Sequence, residues 1–294
     1  METVDHCPVC GSPNSSVALT AEDHTVSHTV FSIRRCADCG FQFTSPRPKQ
    51  DRIGEYYLSE NYISHAEKPT GPKDRIYHWV RKRAIRNKHK LIARFQPAGM
   101  ALDVGCGTGN FLAYLATKGY SAQGVEVSPE ARKIAASKGV PVFPQLTDIP
   151  AVAQFNVISL WHVLEHVADP RETLKQLFEK CSKGGLLVIA VPDNESWDCQ
   201  HYGPKWAAWD VPRHLSHFRQ QDVHKLLKEA GFEPLETKPM WFDAPYVSML
   251  SEQYLGAGPV GSMVKGAAWG LWSNMVSLVS NSPSSSSLFL AKKP

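Results

Sequence analysis

From residue 100 onward the hydrophobic positions fall into two alternating periods. Short, mainly apolar runs at 101–104, 140–143, 155–160 and 186–191 suit strands buried on both faces, and the more mixed segment 121–127 supplies another strand. Between them, apolar residues recur at helical spacing. Phe111, Leu112, Leu115 and Ala116 make one such face, closed by Gly119. Ser128, Pro129 and Gly139 bracket a second helix as N-cap, first-turn proline and terminal glycine. A third spans about 171–181 before the Gly184-Gly185 turn, and a fourth covers 222–230, stopped by Gly231. Segments 233–238 and 287–292 supply two more strands. This alternation predicts an α/β fold: a doubly wound, mostly parallel, seven-stranded sheet with its ligand at the carboxyl ends of the strands.

The flanks follow other patterns. Residues 16–19 and 29–33 alternate like small hairpin strands, and 46–72 form a proline- and tyrosine-containing connector. Residues 73–95 read as one basic helix, with Ile76, Val80, Ala84 and Leu91 as its apolar face. Residues 239–283 are an insertion between the last two strands. Leu255 to Ser280 within it is largely apolar, with Lys265 as its charge. A membrane crossing there would put the last strand on the wrong side from its own sheet, so the insertion is expected to cap the cleft and to be free to touch lipid or a second subunit. The organisation expected is a module at 1–45, a connector and basic helix at 46–99, and a ligand-binding domain at 100–294.

Composition adds limits. A formal net charge of +4 over 294 residues does not by itself imply nucleic acid as a partner. The start, Met-Glu-Thr-Val-Asp-His, lacks the basic and apolar regions of a secretory signal. A reducing, cytoplasmic setting is therefore expected, and paired cysteines there are more apt to hold metal than to form disulfides. Cys7-x-x-Cys10-Gly and Cys36-x-x-Cys39-Gly form two knuckles, each delivering two sulfurs from a tight turn. Four thiolates make a tetrahedral structural zinc site, and a unit this small has too little core to fold without one.

The remaining chemistry is concentrated after the strands. Asp103-Val-Gly105-Cys106-Gly107-Thr-Gly109 follows the first strand of the domain, and Glu126 ends the second. The glycines stand at 105, 107 and 109, whereas a dinucleotide fingerprint would require one at 110, where Asn stands. His162-Val-Leu-Glu165-His166 matches a zinc-protease pattern, but it follows a buried strand instead of lying inside a helix, which argues against hydrolysis. Trp206 to Phe218 sets Asp210, Arg213, His214 and His217 among tryptophans, as a substrate pocket would.

The glycine loop together with Glu126 resembles the first motifs of the class I S-adenosylmethionine (SAM)-dependent methyltransferases, which have a Rossmann-like sheet. The H-V-L-E-H stretch and the Pro212-x-His214-Leu215-x-x-Phe218 segment resemble their small-molecule subgroup. The resemblance implies that the loop of Asp103, Gly105, Cys106, Gly107 and Gly109 passes under the methionine part of SAM. Glu126, beside Val127, would hold the ribose hydroxyls, and His162 would line the methyl end. It further implies in-line methyl transfer to a small-molecule or glycan-like acceptor. His214, with Arg213 and Asp210 beside it, and then His166 are the candidate bases, because their loops follow the fourth and fifth strands and overhang the same cleft end. The rival expectation is a non-catalytic SAM-fold protein whose ribbon and basic helix recruit nucleic acid or protein.

Overall fold

The computed structural model describes residues 1–57, 72–280 and 282–294, with side chains described throughout except over 72–80. The strands are β1 (Ser15–Glu22), β2 (Val30–Cys36), β3 (Gln42–Thr44), β4 (Gly99–Val104), β5 (Tyr120–Val125), β6 (Val142–Phe143), β7 (Phe155–Trp161), β8 (Cys181–Pro192), β9 (Ser216–His217), β10 (Glu233–Pro239) and β11 (Ser286–Lys292). The helices are α1 (Pro72–Ala93), α2 (Asn110–Ala116), α3 (Pro129–Ser137), α4 (Pro170–Lys180), α5 (Trp197–Tyr202), α6 (Gln220–Glu229), α7 (Asp243–Tyr254) and α8 (Pro259–Ser280).

The main sheet runs β10-β11-β8-β7-β4-β5-β6. β8, β7, β4, β5 and β6 are parallel, and β11 lies antiparallel to both β8 and β10. Successive residues of the central strands feed opposite cores. Leu102, Ile158, Leu187 and Ile189 belong to one, and Ala101, Val157, Leu186 and Val188 to the other. Burial on both faces explains why these segments read as continuous apolar runs. The helix stops also hold: Ser128 Oγ accepts from the Ala131 backbone N–H at 3.3 Å, and Gly139 takes φ +75°. β8 begins at Cys181, five residues before the run that announced it. Its first turn is polar, so periodicity alone could not include it.

The basic helix turns only part of the expected face inward. Leu91 packs against the core as expected, beside Ile85 and the buried Ile92, but Ala84 is exposed. Lys88 turns inward and sets its Nζ 4.1 Å from the Trp161 ring centre. Ile76 and Val80 fall outside the residues whose side chains are described.

The N-terminal 45 residues form a ribbon of β1, β2 and β3, but its sheet takes a fourth strand, β9, from the connection between β8 and β10 of the main sheet. Cys7, Val9, Cys36, Phe41 and Phe43 share a core with Phe218 and the main sheet. The insertion folds as the antiparallel pair α7 and α8. A side chain at Gly266 or Gly270 would collide with the backbone of Met249 or Pro245, so the two helices pack with glycine at the contact. Val260, Met263, Leu271, Trp272 and Leu278 face outward. Among the described residues no helix is long and apolar enough to cross a membrane.

Candidate active site

The glycine loop leaves β4 with three left-handed residues, Gly105 (φ +70°), Gly107 (φ +54°) and Gly109 (φ +72°). Their neighbours differ. A Cβ at Gly105 would strike Val163 Cγ2, and one at Gly109 would come within 2.8 Å of Ala135 Cβ. A Cβ at Gly107 would meet nothing within 4 Å, which is the open side where a ligand can meet bare backbone. Gly105 and Cys106 N–H both donate to the Val125 carbonyl, at 2.8 and 3.0 Å, tying the loop to the end of β5.

Glu126 follows that strand end. One carboxylate oxygen accepts from the Gly107 N–H and the other from the Ser128 N–H, each at 2.9 Å. The acid therefore sits across the mouth of the glycine loop. Val127 beside it is 78% exposed, an apolar side chain at the open rim. Asp103 lies beneath. It is buried, accepts from Ser159 Oγ at 2.5 Å, and burial raises its pKa to about 6. Ser159 and Lys88 are partners the sequence did not single out; Lys88 adds a cation that favours the Asp103 carboxylate.

The H-V-L-E-H stretch follows β7 as a single 3-10 turn over Leu164–His166. His162 adopts φ +57° and places its ring between two acids, with Nδ1 3.3 Å from Glu165 Oε1 and Nε2 3.0 Å from Asp243 Oδ2. Burial opposes the imidazolium, but these carboxylates outweigh it and raise the pKa to about 10. Asp243 opens α7, so this pair ties the insertion to the loop after β7.

His166 and His214 meet edge to face, with ring centres 4.6 Å apart. His166 Nδ1 lies 3.0 Å from both the Arg213 carbonyl and Tyr57 Oη. His214 Nδ1 lies 2.8 Å from the Ala208 carbonyl. A carbonyl only accepts, so Nδ1 carries the proton in each ring. Burial and the neighbouring His214 push the His166 pKa down to about 4. Glu165, 1% exposed, sets Oε1 4.0 Å from His214 Nε2. His217, expected at the same rim, is elsewhere: it lies on β9, buried, with Nε2 3.0 Å from Thr44 Oγ1 of the ribbon. Burial holds it neutral, and it serves as a tie between the loop and the ribbon.

Arg213 is also buried. It donates to Asp210 at 2.7 Å, to Asp23 at 3.0 Å and to the Tyr56 carbonyl at 3.0 Å. It orients the rim from inside and is not exposed to a substrate. At the N-terminus the four cysteine sulfurs lie within 4.8 Å of one another, with Cys7 to Cys39 at 3.6 Å and Cys10 to Cys36 at 3.5 Å.

Residues 76–237 match the family described as "Methyltransferase domain", and the match contains the glycine loop, Glu126 and both rim loops. The chain belongs to this family and is a class I SAM-dependent methyltransferase. A ubiquinone biosynthesis O-methyltransferase of Cereibacter sphaeroides is 26% identical over 156 residues, 48% of this chain and 63% of that one. The methyltransferase thus spans less than two thirds of that relative's length. An uncharacterized protein of Methanocaldococcus jannaschii is 26% identical over 54% of this chain and 77% of its own. Among solved structures, the magnesium protoporphyrin IX methyltransferase of Synechocystis with bound S-adenosylhomocysteine superimposes with a TM-score of 0.54 at 13% identity, covering 84% of this chain and 100% of that one. The [4+2]-cyclase SpnF gives 0.50 at 20%, covering 72% and 81%. At these identities the two structures speak to the fold. The methyltransferase's own residues fit SAM: an open backbone at Gly107 and an acid placed to accept from hydroxyls once the Gly107 N–H yields.

Proposed function

We propose that the methyltransferase transfers the sulfonium methyl of SAM to a hydroxyl of a small-molecule or glycan-like acceptor. The acceptor would lie between the loops after β7 and β8, under the α7–α8 cap. The observation that carries this reading is the contact between Val163 and Gly105, which abuts the His162–His166 loop against the glycine loop. An acceptor seated by His166 and His214 is then next to the methyl end of the cofactor. A hydroxyl acceptor is favoured by the O-methyltransferase relatives and by a cluster suited to handling its proton.

In this reaction an acceptor lone pair attacks the methyl carbon and the C–S bond breaks with its electrons passing to sulfur. The acceptor's proton goes to a base, for which His214 is the first candidate and His166 the second. His214 offers Nε2 because its Nδ1–H is committed to Ala208. Glu126 would hold the ribose hydroxyls, and Gly105, Cys106, Gly107 and Gly109 the methionine part, with Val127 and His162 bordering the pocket. Cys7, Cys10, Cys36 and Cys39 would hold a structural zinc ion, a role that suits sulfurs clustered at the base of a small sheet.

Isothermal calorimetry with SAM and a metabolite screen with labelled SAM test the reading together. Binding of SAM, with label appearing in a hydroxyl-bearing acceptor, is expected. His214→Ala should retain SAM affinity and lose about 10²- to 10⁴-fold in turnover.

A further inference from the structure

The geometry points to a divalent-cation site formed by Glu165, His166 and His214 at the acceptor end of the cleft. One ligand atom from each of the three lies within 4.8 Å of the other two. The set is two imidazoles and one carboxylate, the composition that first-row divalent metals prefer over calcium or magnesium.

Three features separate this cluster from a chance grouping. First, both imidazoles are oriented by their Nδ1–H groups, His166 toward the Arg213 carbonyl and His214 toward the Ala208 carbonyl. Metal-binding histidines are held in this way, because the bond fixes the tautomer and leaves the Nε2 lone pair for the ion. Second, Glu165 is 1% exposed, and the cation beside it, His162 Nδ1 at 3.3 Å from Oε1, is shared with Asp243. Neither Glu165 oxygen meets the geometry of a hydrogen bond, so a further cation would find acceptor capacity there. Third, His214 Nε2 lies 4.0 Å from Glu165 Oε1 and 3.8 Å from Asp210 Oδ2, so two acids and an imidazole converge at this point.

The nearby cations are already shared. Arg213 divides its charge between Asp210 and Asp23, and His162 divides its own between Glu165 and Asp243. Ligands roughly 2.1 Å from one ion lie about 3 to 3.5 Å apart, so the three side chains would draw in by about 1 Å. A 3-10 turn and a loop residue can absorb that shift without moving the sheet.

With three protein ligands, such an ion would keep a coordination position for an acceptor's oxygen. It would lower that oxygen's pKa, and His214 would then act as a ligand instead of a free base. This consequence rests on the methyltransferase reading; binding of the ion does not.

Mn²⁺ is the probe, because it is a poor match for four thiolates and leaves the ribbon out of the measurement. Titration of the full chain followed by electron paramagnetic resonance should give one bound Mn²⁺ per chain, with nitrogen modulation from two imidazoles. Glu165→Gln and His214→Ala should each weaken it at least 10-fold. Circular dichroism and melting temperature of the same variants, readouts independent of SAM, show that they remain folded. No retained Mn²⁺ at millimolar concentration, or a bound ion without nitrogen coupling or indifferent to both variants, overturns the site. If Mn²⁺ binds as expected while SAM does not, the function fails and the metal site stands.

Discussion

Arg213 of the rim loop and Asp23 of the N-terminal ribbon form an ion pair at 3.0 Å, with side chains 1% and 0% exposed. The two residues are 190 positions apart. Asp23 is anchored in turn by the Ser27 N–H and hydroxyl, both at 2.8 Å, and these bonds with Arg213 hold its carboxyl below the usual range against the opposing effect of burial. The ribbon is therefore part of the wall behind His214.

Asp23→Ala leaves Arg213 buried with Asp210 as its remaining carboxylate. Breaking a buried pair costs on the order of 3 kcal/mol even when one partner is retained. Urea unfolding should show that loss, and turnover should fall while SAM affinity at the distant glycine loop is kept. Unchanged turnover would mean that the ribbon does not orient the rim.

Glu126→Ala should weaken SAM by about 2–4 kcal/mol, the worth of two charge-assisted hydrogen bonds. It also frees the Gly107 and Ser128 N–H groups that the acid now holds. Calorimetry is the measurement, and wild-type affinity would remove Glu126 from the cofactor site.

Two glycine substitutions separate binding from folding. Gly107→Val places its side chain in open space, so the fold bears only the left-handed strain of roughly 1–2 kcal/mol while SAM binding is lost. Gly105→Val collides with Val163 and should lower the melting temperature as well as abolish binding. Equal melting temperatures for the two variants would contradict the packing of the His162–His166 loop on the glycine loop.

The depressed pKa of His166 carries a pH signature. The folded value near 4 lies below the unfolded value near 6.5, so the unfolded chain takes up the proton first. This contribution to stability is complete above about pH 6.5 and is lost as pH falls from there toward 4. His166→Gln should flatten the melting temperature over that window, and a difference profile with no slope would exclude a buried neutral imidazole.

Purified protein should hold one zinc in the ribbon, measured by elemental analysis. Read from the sequence, the ribbon is a module whose unfolding by a chelator would leave the SAM domain intact. β9 and the shared core lead to a different outcome: Gln42 pairs with His217 and Phe43 with Ser216, and the Thr44 hydroxyl donates to the His214 carbonyl at 2.8 Å. Cys36→Ser, which disturbs the four sulfurs and leaves Glu165, His166 and His214 in place, should reduce turnover together with ribbon structure, followed by circular dichroism and methyl transfer in parallel. Full activity in a zinc-free chain would separate the two units.

What the sequence determined by itself was local. The strand runs, Ser128 and Pro129 at a helix start, the glycine spacing at 105, 107 and 109, the acid at 126 and the paired cysteines all act within one turn or one strand–helix unit. Residue type and spacing are sufficient there, because the constraint is backbone conformation or burial of one face. The tertiary structure alone decided which polar residues meet. His162 reaches Asp243, Arg213 reaches Asp23, and His217 turns to Thr44 while His214, three residues earlier, turns to Glu165. Strand β9 has only two residues, too few to show any period, and its role is set by the edge of β3 that it covers. Periodicity says that a side chain is buried, but the partner that neutralises a buried charge is chosen by chain crossings far apart in sequence. The sequence could therefore assemble the glycine loop, and only the fold could assemble Glu165, His166 and His214.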